Sequence, residues 1–125
     1  MNDDQHLHYE LLSHLLNGCY PESMRDTDPQ LLAKVLVEAI AWHEQRIRES
    51  KDEADSLESY ADLVSDLIAE GFEEPDEENM LWIDVAGKEA EQFREKTQSA
   101  RDMLETCESM LLDLLDKHPE LKDQL

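Results

Sequence analysis

At 125 residues, with 11 Lys and Arg against 32 Asp and Glu, the chain carries a formal charge of −21. Hydrophobic residues make up 40%, and only three Gly and four Pro interrupt the sequence, which argues against plain disorder and favours helices over strands. Such a charge excludes direct binding to DNA, RNA or anionic lipid, whose phosphates need Lys and Arg, and leaves basic proteins as partners.

The length fits a single helical domain spanning 1–125. No apolar run approaches the ~18–20 residues that span a bilayer, so no membrane association is expected. The start, with Asp3 and Asp4, lacks the basic and apolar regions of a signal peptide. Cys19 and Cys107 are the only cysteines, fewer than a disulfide framework uses. A reduced, cytoplasmic setting is therefore expected.

A first helix is expected over 4–17, capped by Asp3 or Asp4. Leu7, Leu11, Leu12, Leu15 and Leu16 form its apolar stripe, and Asn17-Gly18 ends it. The connector Cys19–Thr27 contains Pro21. Asp28-Pro29 then reads as the N-cap and first position of a second helix over 28–70, because Pro loses nothing where the first N–H has no intrahelical partner.

Within that helix a 3-4 alternation runs through Ala33, Leu36, Ile40, His43, Ile47, Ser50, Ala54, Leu57, Ala61, Val64 and Ile68, the seam of a coiled-coil-like helix. Its centre is weak, which allows a break near Glu49–Asp52. Gly71 stops it, and an acidic turn is expected over 71–79. A third helix over 80–117, with Asp76 or Asn79 as its cap, repeats the alternation through Ile83, Ala86, Ala90, Phe93, Thr97, Ala100, Leu104, Cys107, Leu111 and Leu114. His118-Pro119 ends it.

The expected fold is all-α: a short N-terminal helix plus a long antiparallel helical hairpin, a three-helix coiled-coil-like bundle. Leu111, Leu112, Leu114 and Leu115 leave extra apolar surface for the first helix or for a second subunit, so a homodimer is one way to cover it. Trp42 and Trp82 are expected to pack in the core or at its edge, with a partner-facing anchor as the alternative.

The charge is concentrated. Residues 52–87 contain no Lys or Arg but 13 carboxylates: Asp52, Glu53, Asp55, Glu58, Asp62, Asp66, Glu70, Glu73, Glu74, Asp76, Glu77, Glu78 and Asp84. At about 100° per residue, Asp52, Asp55, Glu58, Asp62, Asp66, Glu70 and Glu73 fall within an arc of about 120°. They form a stripe roughly 32 Å long at ~1.5 Å per residue. Neighbours at i,i+3 and i,i+4 repel by a few tenths of a kcal/mol per pair, and an ordinary solvated helix would mix in Lys. Duplex DNA carries one charge per ~1.7 Å, so 21 charges match about 36 Å of duplex. The stripe alone is sparser than that, so the first helix and the loop would have to complete the pattern.

Two segments resemble phage anti-restriction proteins of the Ocr type: Met24-Arg25-Asp26-Thr27-Asp28 opening a helix, and Ser59-Tyr60-Ala61-Asp62-Leu63 leading into Ala69-Glu70-Gly71-Phe72-Glu73. Family members are small, acidic, mostly helical dimers that imitate bent duplex DNA. The resemblance implies a phage-encoded inhibitor whose carboxylates act as false phosphates in the nucleic-acid groove of a host restriction–modification enzyme. A CRISPR complex or another nuclease would be met by the same charge pattern. The expected partner-binding residues are Asp52, Asp55, Glu58, Asp62, Asp66, Glu70, Glu73, Glu74, Asp76, Glu77 and Glu78. The alternative is a coiled-coil adaptor docking through apolar surface around Leu104–Leu115, with the charge serving solubility.

Other chemistry is weaker. Carboxylates three apart (Glu49, Asp52, Asp55, Glu58) suit a hard cation, and Glu58 and Asp62 opposite Glu91 or Glu95 would be the ligands of a metal-dependent hydrolase, but such residues diverge on one exposed helix. His6 and His8 are two apart and point to different faces, so they and His14 read as surface residues rather than zinc ligands. His43 reads as a polar break in the core or a register device on the seam. No nucleophile constellation or phosphate-binding Gly loop is present. No catalytic residue, metal or cofactor is assigned, and an enzyme is not expected.

Overall fold

The computed structural model describes the backbone of residues 3–124, and the side chains from Gln5 onward. The protein is all-α: α1 (Asp3–Leu16), a short 3-10 turn (Glu22–Asp26), α2 (Pro29–Ala69), α3 (Glu77–Lys117) and a second 3-10 turn (Pro119–Gln124). No β-strand occurs among the described residues. The two long helices pack against each other, as the heptad spacing predicts.

The ends of the helices follow from particular residues. Asp28 accepts the Leu31 amide at 3.4 Å, with Pro29 at the first helical position. α2 continues without a break through Glu49–Asp52. It stops at Gly71, whose φ of +83° suits glycine. There the Phe72 amide reaches back to the Leu67 carbonyl at 2.9 Å and the Gly71 amide to Ile68 at 3.1 Å, pairing carbonyls that the last turn leaves open. Gly18, at φ +72°, ends α1 in the same manner, with the Cys19 amide on the His14 carbonyl. The cap expected from Asp3 or Asp4 lies outside the described side chains.

The turn is shorter than the expected 71–79. Asp76 accepts the Asn79 amide at 2.8 Å and so caps α3, which places Glu77, Glu78 and Asn79 inside its first turn. The physical reason is that an Asp cap followed by two carboxylates suits the positive end of a helix. Asn79 reads from sequence as the alternative cap, but it instead donates its side-chain amide to the Glu74 carbonyl at 2.8 Å.

The folded chain divides into two compact units, residues 1–45 with 100–125, and residues 46–99. In the first, here the terminal unit, Leu11, Leu15, Met24, Leu32, Val35, Leu36, Ala39 and Cys107 form a buried core. The two 3-10 turns insert Met24 and Leu121 as buried side chains, a contribution the periodic pattern does not show because neither turn is long enough to have a period. His43 is fully buried and its Nε2–H donates to the Leu15 carbonyl at 3.1 Å, so the polar position in the seam satisfies an open carbonyl at the end of α1. Burial pushes the Cys107 thiol up to about 11, and neighbouring Glu108 adds to the shift.

In the second unit, here the hairpin unit, the seam is made of small residues. Ala54, Ala86, Ala90 and Thr97 are its buried side chains. Leu57, Ala61, Val64, Ile68, Ile83 and Phe93 are half-buried beside them. Alanine leaves little volume between helix axes and permits close approach, but each residue removes little apolar area from water.

Candidate functional site

All eleven of the expected partner-binding carboxylates, from Asp52 to Glu78, are exposed, and all belong to the hairpin unit. The seam residues interleaved with them on α2 are not exposed, so the stripe does lie on the solvent side of that helix.

The eleven are not equivalent. Arg94 of α3 donates from Nε to Glu58 at 2.7 Å and from a terminal nitrogen to Glu58 at 2.6 Å and Asp55 at 3.3 Å. This fork holds the Glu58 carboxyl below its ordinary range, chiefly through the hydrogen bond. The stripe therefore has one basic neighbour that its own sequence does not reveal. Asp55 and Glu58 are occupied within the fold, and Glu58 is not free to face Glu91 or Glu95 around a cation. Among the described residues no three His, Cys, Asp or Glu side chains group as a metal site.

Asp76, Glu77 and Glu78 have a local purpose, as the cap and first turn of α3, where negative charge favours the helix. Asp62, Asp66 and Glu70 have the opposite relation to their helix. They approach the negative end of α2, whose last turn contains no basic residue. Glu73 and Glu74 continue the charge beyond it. Among the described residues none of Asp52, Asp62, Asp66, Glu70, Glu73, Glu74, Asp76, Glu77 or Glu78 has a cationic side chain within ion-pair distance; a further ion pair in the hairpin unit joins Lys88 to Asp84 at 3.0 Å. With Asp55 and Glu58 paired, nine of the eleven remain; Asp52 stands apart near the middle of α2, and the other eight, from Asp62 to Glu78, gather toward the hairpin end.

Aromatic residues depart from expectation. Trp42 and Trp82 are 55% and 52% exposed, and Phe72 is 75% exposed. The reason is positional: none of the three occupies a seam position, whereas Phe93, which does, is half-buried. That off-seam placement is the sequence signal that would have found Phe72 and Trp82. Arg94 carries a weaker one, as a base on α3 flanked by Glu91 and Glu95.

The terminal unit contains a cleft of about 660 Å³ lined by Tyr20, Met24, Arg25, Met110 and Lys117 among others. Its groups serve the fold: Lys117 pairs with Asp113 at 3.2 Å, and Thr106 donates its hydroxyl to the Asp102 carbonyl. Leu112, on the apolar stretch expected for an adaptor, is 68% exposed, whereas Leu104, Leu111, Leu114 and Leu115 are half-buried. Among the described residues no helix is long and apolar enough to cross a membrane. No protein-family model, no curated protein and no solved structure matches the chain.

Proposed function

We propose that the protein is an acidic mimic of nucleic acid that acts by occupancy rather than catalysis, filling the basic groove of a host DNA- or RNA-handling protein. A restriction–modification enzyme, a CRISPR complex or another nuclease is the class of target, and a phage is the class of source that the Ocr resemblance implies. The observation that carries this reading is the run from Asp62 to Glu78: eight exposed carboxylates with no cation in reach. Asp62, Asp66 and Glu70 gain nothing from α2, whose negative end they approach, and Glu73 and Glu74 lie in the turn outside both helices.

A folded surface that keeps like charges together at a cost to itself attracts cationic partners over a distance of roughly 10 Å at ordinary salt. Association is then fast and affinity falls steeply as salt rises. The test is capture of proteins from a bacterial lysate on the immobilised chain. Nucleic-acid-binding proteins should be retained at low salt and released both by high salt and by added DNA or RNA. The variant with Asp62, Asp66, Glu70 and Glu73 all changed to Lys should retain none of them. Retention that is indifferent to salt and to these four changes would overturn the reading.

The exposure of Leu112 favours a second reading, an adaptor whose partner docks on α3. In that case the four Lys changes leave capture intact and Leu112→Asp removes it.

A further inference from the structure

Among the described residues, six of the twelve exposed large hydrophobic side chains fall between residues 60 and 82: Tyr60, Leu63, Phe72, Met80, Leu81 and Trp82. Leu63 lies six residues before the end of α2 and Trp82 five after the start of α3, so at ~1.5 Å per residue all but Tyr60 lie within about 10 Å of the hairpin end. The same interval holds the eight carboxylates without cations. Phe72 is the most telling. It follows the glycine that stops α2, the position whose side chain ordinarily folds back on the last turn, yet it is 75% exposed. Exposed apolar residues concentrated at one end of a fold point to docking more than residues scattered singly over the surface do.

Charge decides what docks. A second copy would bring the same eight anions against themselves, and an anionic membrane would repel them. A basic groove is complementary. Its interior must also match exposed rings, and here the two forms of nucleic acid differ. A duplex hides the faces of its bases and shows phosphates and edges. A single strand offers phosphates and bare ring faces together, and proteins that hold it interleave cations with aromatic platforms.

We infer that the hairpin end docks in a groove built for single-stranded nucleic acid, with Phe72 and Trp82 standing in for bases and the carboxylates from Asp62 to Glu78 for phosphates. The inference rests on the mimicry reading above and names the kind of groove.

The test uses the full chain and two fluorescently labelled peptides of about ten residues and equal positive charge, one alternating Lys with Trp and the other Lys with Ser, read by anisotropy. The Lys-Trp peptide should bind about tenfold or more tighter, as ring stacking requires. The double variant Phe72→Ser, Trp82→Ser, shown to be folded by its helical circular dichroism, should bring the two peptides within about twofold while leaving the Lys-Ser affinity unchanged. The variant with Asp62→Asn, Asp66→Asn, Glu70→Gln and Glu73→Gln should weaken both. Equal binding of the two peptides to the unaltered chain would overturn the single-strand inference, leave the charge reading standing and point to a duplex-type groove. Binding of neither would overturn the charge reading itself. A Trp preference that survives the double variant would overturn the assignment of Phe72 and Trp82.

Discussion

The two units are built from different materials. In the terminal unit Leu15, Val35, Leu36, His43 and Cys107 are the largest fully buried side chains. In the hairpin unit three alanines and one threonine are all that is buried. Burying a Leu or Val side chain contributes roughly 1.5–3 kcal/mol and a methyl group about 0.8 kcal/mol, so stability resides mainly in the terminal unit. The hairpin unit keeps its helices with little core and devotes its surface to charge and exposed rings. The largest effect that could break this contrast is a core truncation. Leu36→Ala should cost about 2–5 kcal/mol in urea denaturation, and Leu57→Ala, on the half-buried seam of the hairpin, about 1 kcal/mol or less. Equal costs would mean that the alanine seam is not the weaker core.

A middle-sized effect concerns His43. Replacing it with Phe keeps a ring in the site but leaves the Leu15 carbonyl without its donor, which should cost about 1–3 kcal/mol. His43→Gln, which can still donate, should recover part of the loss. Full recovery by Phe would show that the position needs volume and not a hydrogen bond.

What was legible in the sequence follows the same division. The seams were readable along their full length: every position assigned from Ala33 to Ile68 and from Ile83 to Leu114 is buried or half-buried, because a sustained period reports which side of a helix faces its partner. The stops at Gly18 and Gly71 and the cap at Asp28 were readable because each is a local rule, whereas Asp76 was one of two candidate caps and the expected start at 80 falls three residues late. Partners were not readable. Arg94 lies 36 and 39 residues from the two carboxylates it joins, and His43 lies 28 from Leu15. Periodicity fixes the side of a helix and leaves open which long side chain bridges to it. The exposure of the candidate carboxylates was therefore foreseeable, while their division into paired, capping and unpaired members was not.

Smaller effects sharpen the contrast because their sign reverses. Removing charge from the stripe should stabilise the protein. Asp66→Asn with Glu70→Gln relieves repulsion between neighbours and with the negative end of α2, for a gain of about 0.5–1 kcal/mol at low salt. The gain should shrink as salt rises and screens the same terms. A loss of stability would show that these carboxylates do support the fold, and would remove the ground for treating them as kept for a partner.

The smallest effect separates paired from unpaired anions by pH. The Arg94 fork lowers the Glu58 pKa, so its contribution is present above the unfolded value for that carboxyl and is lost as pH falls through the lower folded value. Arg94→Gln should bring the Glu58 titration, followed by NMR, back up to the ordinary carboxylate range. It should also leave the variant less stable than the unaltered protein at neutral pH, with the two converging in acid. Both partners are exposed, so the difference is small. Repulsion within the stripe has the opposite pH dependence, since protonation relieves it. A difference that persists in acid would show that Arg94 holds the hairpin through its aliphatic stem, and Asp55 and Glu58 would then rejoin the carboxylates open to a partner.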